Sequence, residues 1–420
     1  MMKDYKWYDC LQYAVLWLMV AAVVVNWRAG LWMTMLLLLV TVVKMIAQRK
    51  IGNPALSRRQ RLALCGPMVY WVVLALSLLW TFDLGAGMEV MHLKAVLLVC
   101  PLCLLLSDMS YLTIGHLRGL GYALLLALCG SLAYFAVKAG MAMQQGTSLR
   151  AFQDAFYANR DAGEVYHHAY IALYAVVAMV FVYDDLVSRW STMKGWLRWL
   201  LIASLPLMIC YVVVVNSRAG MLAMGLTVLA CVAHLTITRR SWQLGLGIGV
   251  LVVAGIVAAT QLVPGYSDRI SSTLENVEDD ARTSINRSNW HAYGQSPVLG
   301  YGVGDYHAVQ VEQYGEDGFE FGANAGFNAH NQYMESLLAA GVAGLLALLL
   351  FLLMPLAIAL RTRSQRCFVV ALFSAIVMFN LLFESMLERQ MGLLFVGWLF
   401  SVMVLILSVE ENKFARSSKS

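Results

Sequence analysis

The sequence predicts an all-α polytopic membrane protein of about twelve transmembrane helices, at about 20 mostly apolar residues per span. Three observations carry that expectation. Of the 420 residues, 60% are hydrophobic and 13% charged, whereas soluble domains carry roughly 25% charged residues. Mean hydropathy is +0.68. Apolar windows of span length recur along the whole chain, so lipid is the main solvent and the chain reads as one integral membrane domain.

In order, the expected spans are Tyr8 to Val25, Ala29 to Ala47, Leu62 to Thr81, His92 to Leu106, Gly119 to Val137 and Tyr166 to Tyr183. The rest are Trp199 to Val215, Ala219 to Ile237, Leu244 to Leu262, Gln332 to Ala359, Cys367 to Phe383 and Gly392 to Ser408. The first is of span length and lacks a small-residue cleavage site, so it reads as a retained helix rather than a signal peptide. Residues 1–262 then hold spans one to nine, 263–331 a large loop between spans nine and ten, and 332–420 the last three spans and a tail.

Basic residues set the orientation. Arg49, Lys50, Arg58, Arg59 and Arg61, then Arg118, then Arg189, Lys194 and Arg198, then Arg239 and Arg240, then Arg361, Arg363 and Arg366 fall in alternate connections, which marks that side as cytoplasmic. An even span count puts both termini there too, with Lys3 and Lys6 at one end and Lys413, Arg416 and Lys419 at the other. The net charge of +5 is thereby spent on topology, and nucleic acid is not an expected partner. The eight cysteines all lie in apolar stretches, and the Cys100-Pro101-Leu102-Cys103 spacing falls within a span, so neither a disulfide framework nor a redox site is expected.

The chemistry is expected on the opposite side. The segment from Val263 to Asn331 is far longer than an ordinary connection. It mixes acidic residues with Tyr266, Trp290, Tyr293, Tyr301, Tyr306 and Phe319, which predicts folding rather than disorder. Arg218 sits in Asn216-Ser217-Arg218-Ala219-Gly220, a break between apolar runs that holds the guanidinium at the outer face. Charged groups there mark function, and the rigid donor fork matches phosphate oxygens; the competing role is snorkelling to lipid headgroups. His330, where the loop re-enters the membrane, can exchange protons near neutral pH, or can simply start a helix.

Arg282 and Arg287 precede Ser296-Pro297-Val298-Leu299-Gly300-Tyr301-Gly302-Val303-Gly304-Asp305. Glycines at alternate positions let backbone N–H groups approach an anion, or form a flexible turn. Arg150, Arg160, His167 and His168 border the first external loop and either complete a cationic pocket or solvate the loop. Glu384 and Glu388 are expected on one helical face, with an ion pair inside the turn to Arg389. Glu278, Asp279 and Asp280 are hard oxygen ligands, yet no metal-site spacing is present and arginines suit phosphate, so no metal or cofactor is expected.

Taken in order, Asn-Ser-Arg-Ala-Gly at 216–220, Arg282 fifteen residues before Pro297, the Pro-Val-Leu-Gly-Tyr-Gly-Val-Gly-Asp run, and His330-Asn331-Gln332-Tyr333 followed by Gly341 and Gly344 resemble the O-antigen ligase and polymerase superfamily. The resemblance covers the latter half by motif and the whole chain by topology. It implies a glycosyltransferase of GT-C-like fold in a bacterial inner membrane. Such an enzyme takes a glycan from undecaprenyl diphosphate at the periplasmic face and, in the ligase branch, transfers it to the lipid A core.

By that resemblance Arg218 and Arg282 hold the donor diphosphate and His330 accepts the acceptor proton. Arg287, Arg160, His167, His168, Gly302, Gly304 and Asn331 are the expected substrate contacts. Many members carry an aromatic residue four positions after the arginine that precedes the Pro-Gly motif; Asn286 stands there in this chain, which leaves Arg287 as an alternative to Arg282. A polymerase would share the donor and differ in acceptor. A protein O-oligosaccharyltransferase is a third branch, and a transporter of lipid-linked substrate a different class, expected to place its polar groups at the membrane midplane rather than at one face.

Overall fold

The computed structural model describes residues 6–149, 151–152, 167–239 and 281–417. They are helical, with no strand among them. That is what lipid demands, since a helix satisfies its own backbone within one segment. By contact the chain divides into two compact units, Met1–Leu120 with Glu278–Ser420, and Gly121–Val277.

The first unit opens with α1 (Trp7–Val25) and α2 (Trp27–Gln48), an antiparallel pair turned at Asn26, whose side chain caps α2 by accepting from the Arg28 and Ala29 N–H groups. One stripe of α1, Tyr8, Gln12, Val15, Leu16, Met19, Val20 and Val23, is buried, at the three-to-four spacing of a helix face. Lys44 of α2 is buried on that seam. It pairs with Asp9 at 2.7 Å, donates to Gln12 at 2.9 Å and lies over the Tyr111 ring at 4.5 Å. Helices α3 (Arg58–Leu64) and α4 (Gly66–Leu76) follow, with Gln60 reaching back to the Ser57 N–H at 2.9 Å and Pro67 starting α4. Next come α5 (Leu84–Lys94) and α6 (Val96–Leu106), bent by 43° against each other.

Helix α7 (Ile114–Gln144) runs across the unit boundary. In the second unit, α8 (His168–Arg189) is the core, buried without interruption from Ala169 to Val180, and packs on α9 (Gly195–Val214) and α10 (Arg218–Arg239). Tyr183 hydrogen-bonds His234 at 2.6 Å, tying α8 to α10. A Cβ placed on Gly220 would lie 2.3 Å from the Ala172 Cβ, so the Ala172 methyl of α8 packs directly on the α10 backbone near the N-termini of both helices. Small residues at such a crossing are how helices associate where lipid removes the hydrophobic drive.

The first unit resumes with α11 (Ala281–Gln295), α12 (Tyr306–Glu316) and α13 (Glu320–Ala325), then α14 (Gln332–Arg361), α15 (Cys367–Leu381) and α16 (Gln390–Ser417). Helix α16 is the core of this unit, with Leu393 to Leu407 almost all buried and Trp398, Phe395 and Phe400 among the largest enclosed side chains.

Nine helices among the described residues are long and apolar enough to cross a membrane, or ten if the bent α5–α6 pair is one span. The 15-residue α15 falls short by length, and the expected span at Leu244 to Leu262 lies outside the described residues, as do Arg150, Arg160 and the Glu278-Asp279-Asp280 run. Two expectations are corrected. The span from Gln332 is a broken helix, with non-helical backbone at Ala340 and Gly341. Glu384 and Glu388 do not share a helix face: only Met386–Glu388 forms a single 3₁₀ turn there, and Glu388 pairs with Lys94 rather than with Arg389.

Candidate functional site

Helix α14 begins because Asn331 caps it, its Oδ1 accepting from the N–H groups of Tyr333 and Met334 at 3.0 and 3.3 Å. The residue before it, His330, has φ of 46°, a left-handed conformation that a non-glycine residue holds only where its surroundings impose it. Three contacts do so. The His330 N–H donates to Asn328 Oδ1 at 3.1 Å, the Asn331 N–H donates to Ser385 Oγ at 3.2 Å, and the Phe327 ring meets the imidazole edge-on with centroids 6.0 Å apart. The imidazole is thereby turned onto the segment after α15, where Nδ1 lies 3.4 Å from Glu384 Oε2. His330 is 28% exposed and Glu384 only 6%, so the imidazole has an open side and a carboxylate behind it.

Beneath this pair a polar network fixes the geometry. Glu335 accepts from the Ala329 N–H at 2.7 Å, from Ser385 Oγ at 2.9 Å and from Gln310 Nε2 at 3.3 Å. Gln332 accepts from the Leu387 N–H at 2.7 Å and donates to Glu388 at 2.8 Å. Glu388 also accepts from Tyr306 at 3.0 Å and from Lys94 at 2.5 Å, while Lys94 donates to the Leu387 carbonyl at 2.8 Å. Burial, and then the Glu388 charge, push the Tyr306 hydroxyl well above its ordinary range, so it stays a donor. A buried ion pair is worth having only when its remaining valences are filled in this way. The network joins α5, α12, the start of α14 and the 384–388 segment.

Arg282, on the first turn of α11, lays its guanidinium 5.9 Å from the Phe383 ring centre, one residue before Glu384. It therefore shares the 383–384 segment with His330. Arg287 is exposed and five residues on, about 140° round the helix at 3.6 residues per turn, so it faces away from that segment.

Gly302 and Gly304 do something other than cradle an anion. The N–H groups of Tyr301 and Gly302 donate to the carbonyls of Leu338 and Ala339 at 2.7 and 3.0 Å, and those of Val303 and Gly304 donate to Ser77 Oγ at 3.0 Å and Thr81 Oγ1 at 3.3 Å. The four N–H groups from Tyr301 to Gly304 are directed at protein, and the glycines serve close packing. Asn331, expected to meet substrate, spends its Oδ1 on the helix cap.

In the second unit, Arg218 is exposed at the head of α10, after Asn216 at φ of 56° and Ser217, which accepts the Gly220 N–H at 3.1 Å. His167 and His168 stack at the head of α8 with centroids 4.6 Å apart. The Ala172–Gly220 contact brings these two heads together, so Arg218 and the histidines lie at one end of that unit.

The residues that the sequence reading missed are Lys94, Gln332, Glu335 and the pairing of Glu384. Lys94 had a signal, being a charge inside an apolar run. Glu335 had a weaker one, falling among the polar residues of a span start.

Fold and site define a polytopic helical membrane protein with an exposed imidazole backed by a buried carboxylate and flanked by a guanidinium. Residues 203–349 match the family model described as O-antigen ligase, which supports the O-antigen ligase superfamily for this chain. The matched stretch contains Arg218, Arg282 and His330. It supports ligase- or polymerase-type activity in general, of the kind a membrane glycosyltransferase carries out. A comparison with curated proteins gave no match.

Proposed function

We propose that the protein is a ligase that transfers a glycan from undecaprenyl diphosphate to a lipid A-core acceptor at the periplasmic face of the inner membrane, without a metal ion. The observation that carries this reading is the His330 imidazole, open on one side, with the Arg282 guanidinium held on the neighbouring Phe383. An acceptor hydroxyl oxygen attacks the anomeric carbon as its proton passes to His330. The new C–O bond forms while the bond from the anomeric carbon to the diphosphate oxygen breaks, and the electron pair leaves on the diphosphate. One displacement inverts the anomeric centre.

Negative charge grows on the departing diphosphate, and fixed guanidinium donors stabilise it. Arg282 takes this role, and Arg218, by the resemblance, takes it as well. His330 contributes as general base, worth about 10² to 10⁴ in rate. Purified protein given undecaprenyl-diphosphate glycan and two acceptors, lipid A core and a second molecule of donor, tests the reading. Glycan joined to lipid A core supports the ligase; glycan lengthened on its own carrier replaces it with a polymerase.

A further inference from the structure

We infer that Glu384 is the positioning residue of His330, accepting a hydrogen bond from Nδ1–H so that the Nε2 lone pair faces the acceptor and balancing the charge the ring gains. This rests on the ligase reading of the same site. The two residues lie 54 apart in sequence and are brought to 3.4 Å by the fold. Their backbones are stitched one position further on, where the Asn331 N–H donates to Ser385 Oγ, which in turn donates to Glu335. Imidazole and carboxylate are thus held by two successive contacts and by the left-handed backbone of His330.

A histidine with one nitrogen hydrogen-bonded to a carboxylate has its tautomer fixed, leaving the other nitrogen to do chemistry. In the transfer step the acceptor proton moves to Nε2 and the Nδ1 proton stays on the ring, bonded to Glu384. The acceptor oxygen bonds the anomeric carbon and the diphosphate departs with its electron pair.

The charged and titratable groups around the pair come from each packed element. Glu335 belongs to α14, and Glu388 is matched by Lys94 of α5. Tyr306 of α12 holds Glu388, Tyr314 of the same helix donates to the Asn328 carbonyl, and Arg282 of α11 approaches through Phe383. Glu384 is the carboxylate that touches the ring itself.

The test uses the full-length protein in lipid nanodiscs, measuring kcat, donor KM and the melting transition for wild type, Glu384→Gln, Glu384→Asp and Glu384→Ala, beside ¹⁵N-histidine spectra with His330→Ala for assignment. Glu384→Gln is expected to lower kcat at least about 10²-fold with donor KM unchanged. It should lose the Nδ1–H tautomer signature of His330, with Glu384→Asp recovering part of the rate and of the signature. An unchanged tautomer signature overturns the proposal, as does a loss shared equally by all three variants together with their melting transition. Wild-type protein that modifies no acceptor while His330 shows the Nδ1–H tautomer overturns the ligase reading and leaves the pairing standing.

Discussion

The Tyr301 N–H donates to the Leu338 carbonyl at 2.7 Å, tying the segment between α11 and α12 to the second turn of α14. The helix is broken two residues later, at Ala340 and Gly341. A carbonyl released from its helical partner in an apolar environment costs several kcal/mol unless something else donates to it. The loop supplies those donors from Tyr301 and Gly302, and the glycines on both sides let the two backbones close. A Cβ on Gly300 would stand 2.5 Å from the Leu338 carbonyl oxygen, and one on Gly341 2.0 Å from that of Val298.

Gly341→Ala should therefore cost at least about 2 kcal/mol, because the residue has φ of 58° and no room for a methyl group. Gly315→Ala, where a Cβ meets nothing within 4 Å, should be neutral or gain up to about 1 kcal/mol. Thermal unfolding in detergent, followed by size-exclusion fluorescence, compares the two.

Lys94 and Glu388 are enclosed partners at 2.5 Å. Lys94→Met or Glu388→Gln alone should destabilise by about 3–5 kcal/mol, because each leaves the other group buried without its counter-charge. The double variant Lys94→Met/Glu388→Leu should recover a large part of that loss. The same melting assay reads it, and equal losses from single and double variants would show that the pair does not act as a unit.

Arg282 and Arg287 separate by activity. Arg282→Ala should reduce transfer about 10² to 10³-fold, and Arg282→Lys should recover only part, since the ammonium lacks the planar fork. Arg287→Ala should stay within a few-fold of wild type because its side chain is directed away from the Phe383–Glu384 segment. Initial rates at saturating acceptor measure both.

Much of the helical framework was legible because a span's apolar length needs no tertiary information. The observed Trp7–Val25, Trp27–Gln48 and Arg218–Arg239 helices lie within a few residues of the expected spans. The break in α14 was not, since Ala340 and Gly341 are apolar and hydropathy runs through them unchanged. Nor was the real use of the Gly300 to Gly304 run, whose donors could equally face an anion or another backbone until the fold brought Leu338 and Ala339 opposite. His330 at the end of the long loop and Arg282 within it were legible as residue types, and the structure places both against the 383–384 segment. Glu384 and Glu388 were read as helical neighbours because sequence periodicity carries no information about Lys94 or His330, which approach from other elements.

The central claim is direct, metal-independent transfer with His330 as base. The most direct measurement is glycan transfer from purified undecaprenyl-diphosphate donor, in the presence of EDTA, by wild type and His330→Ala at matched membrane expression and matched melting temperature. The account predicts transfer by wild type that EDTA leaves unchanged and a loss of about 10² to 10⁴-fold in His330→Ala. Transfer abolished by EDTA and restored by a divalent ion, or a His330→Ala rate equal to that of wild type, would contradict it.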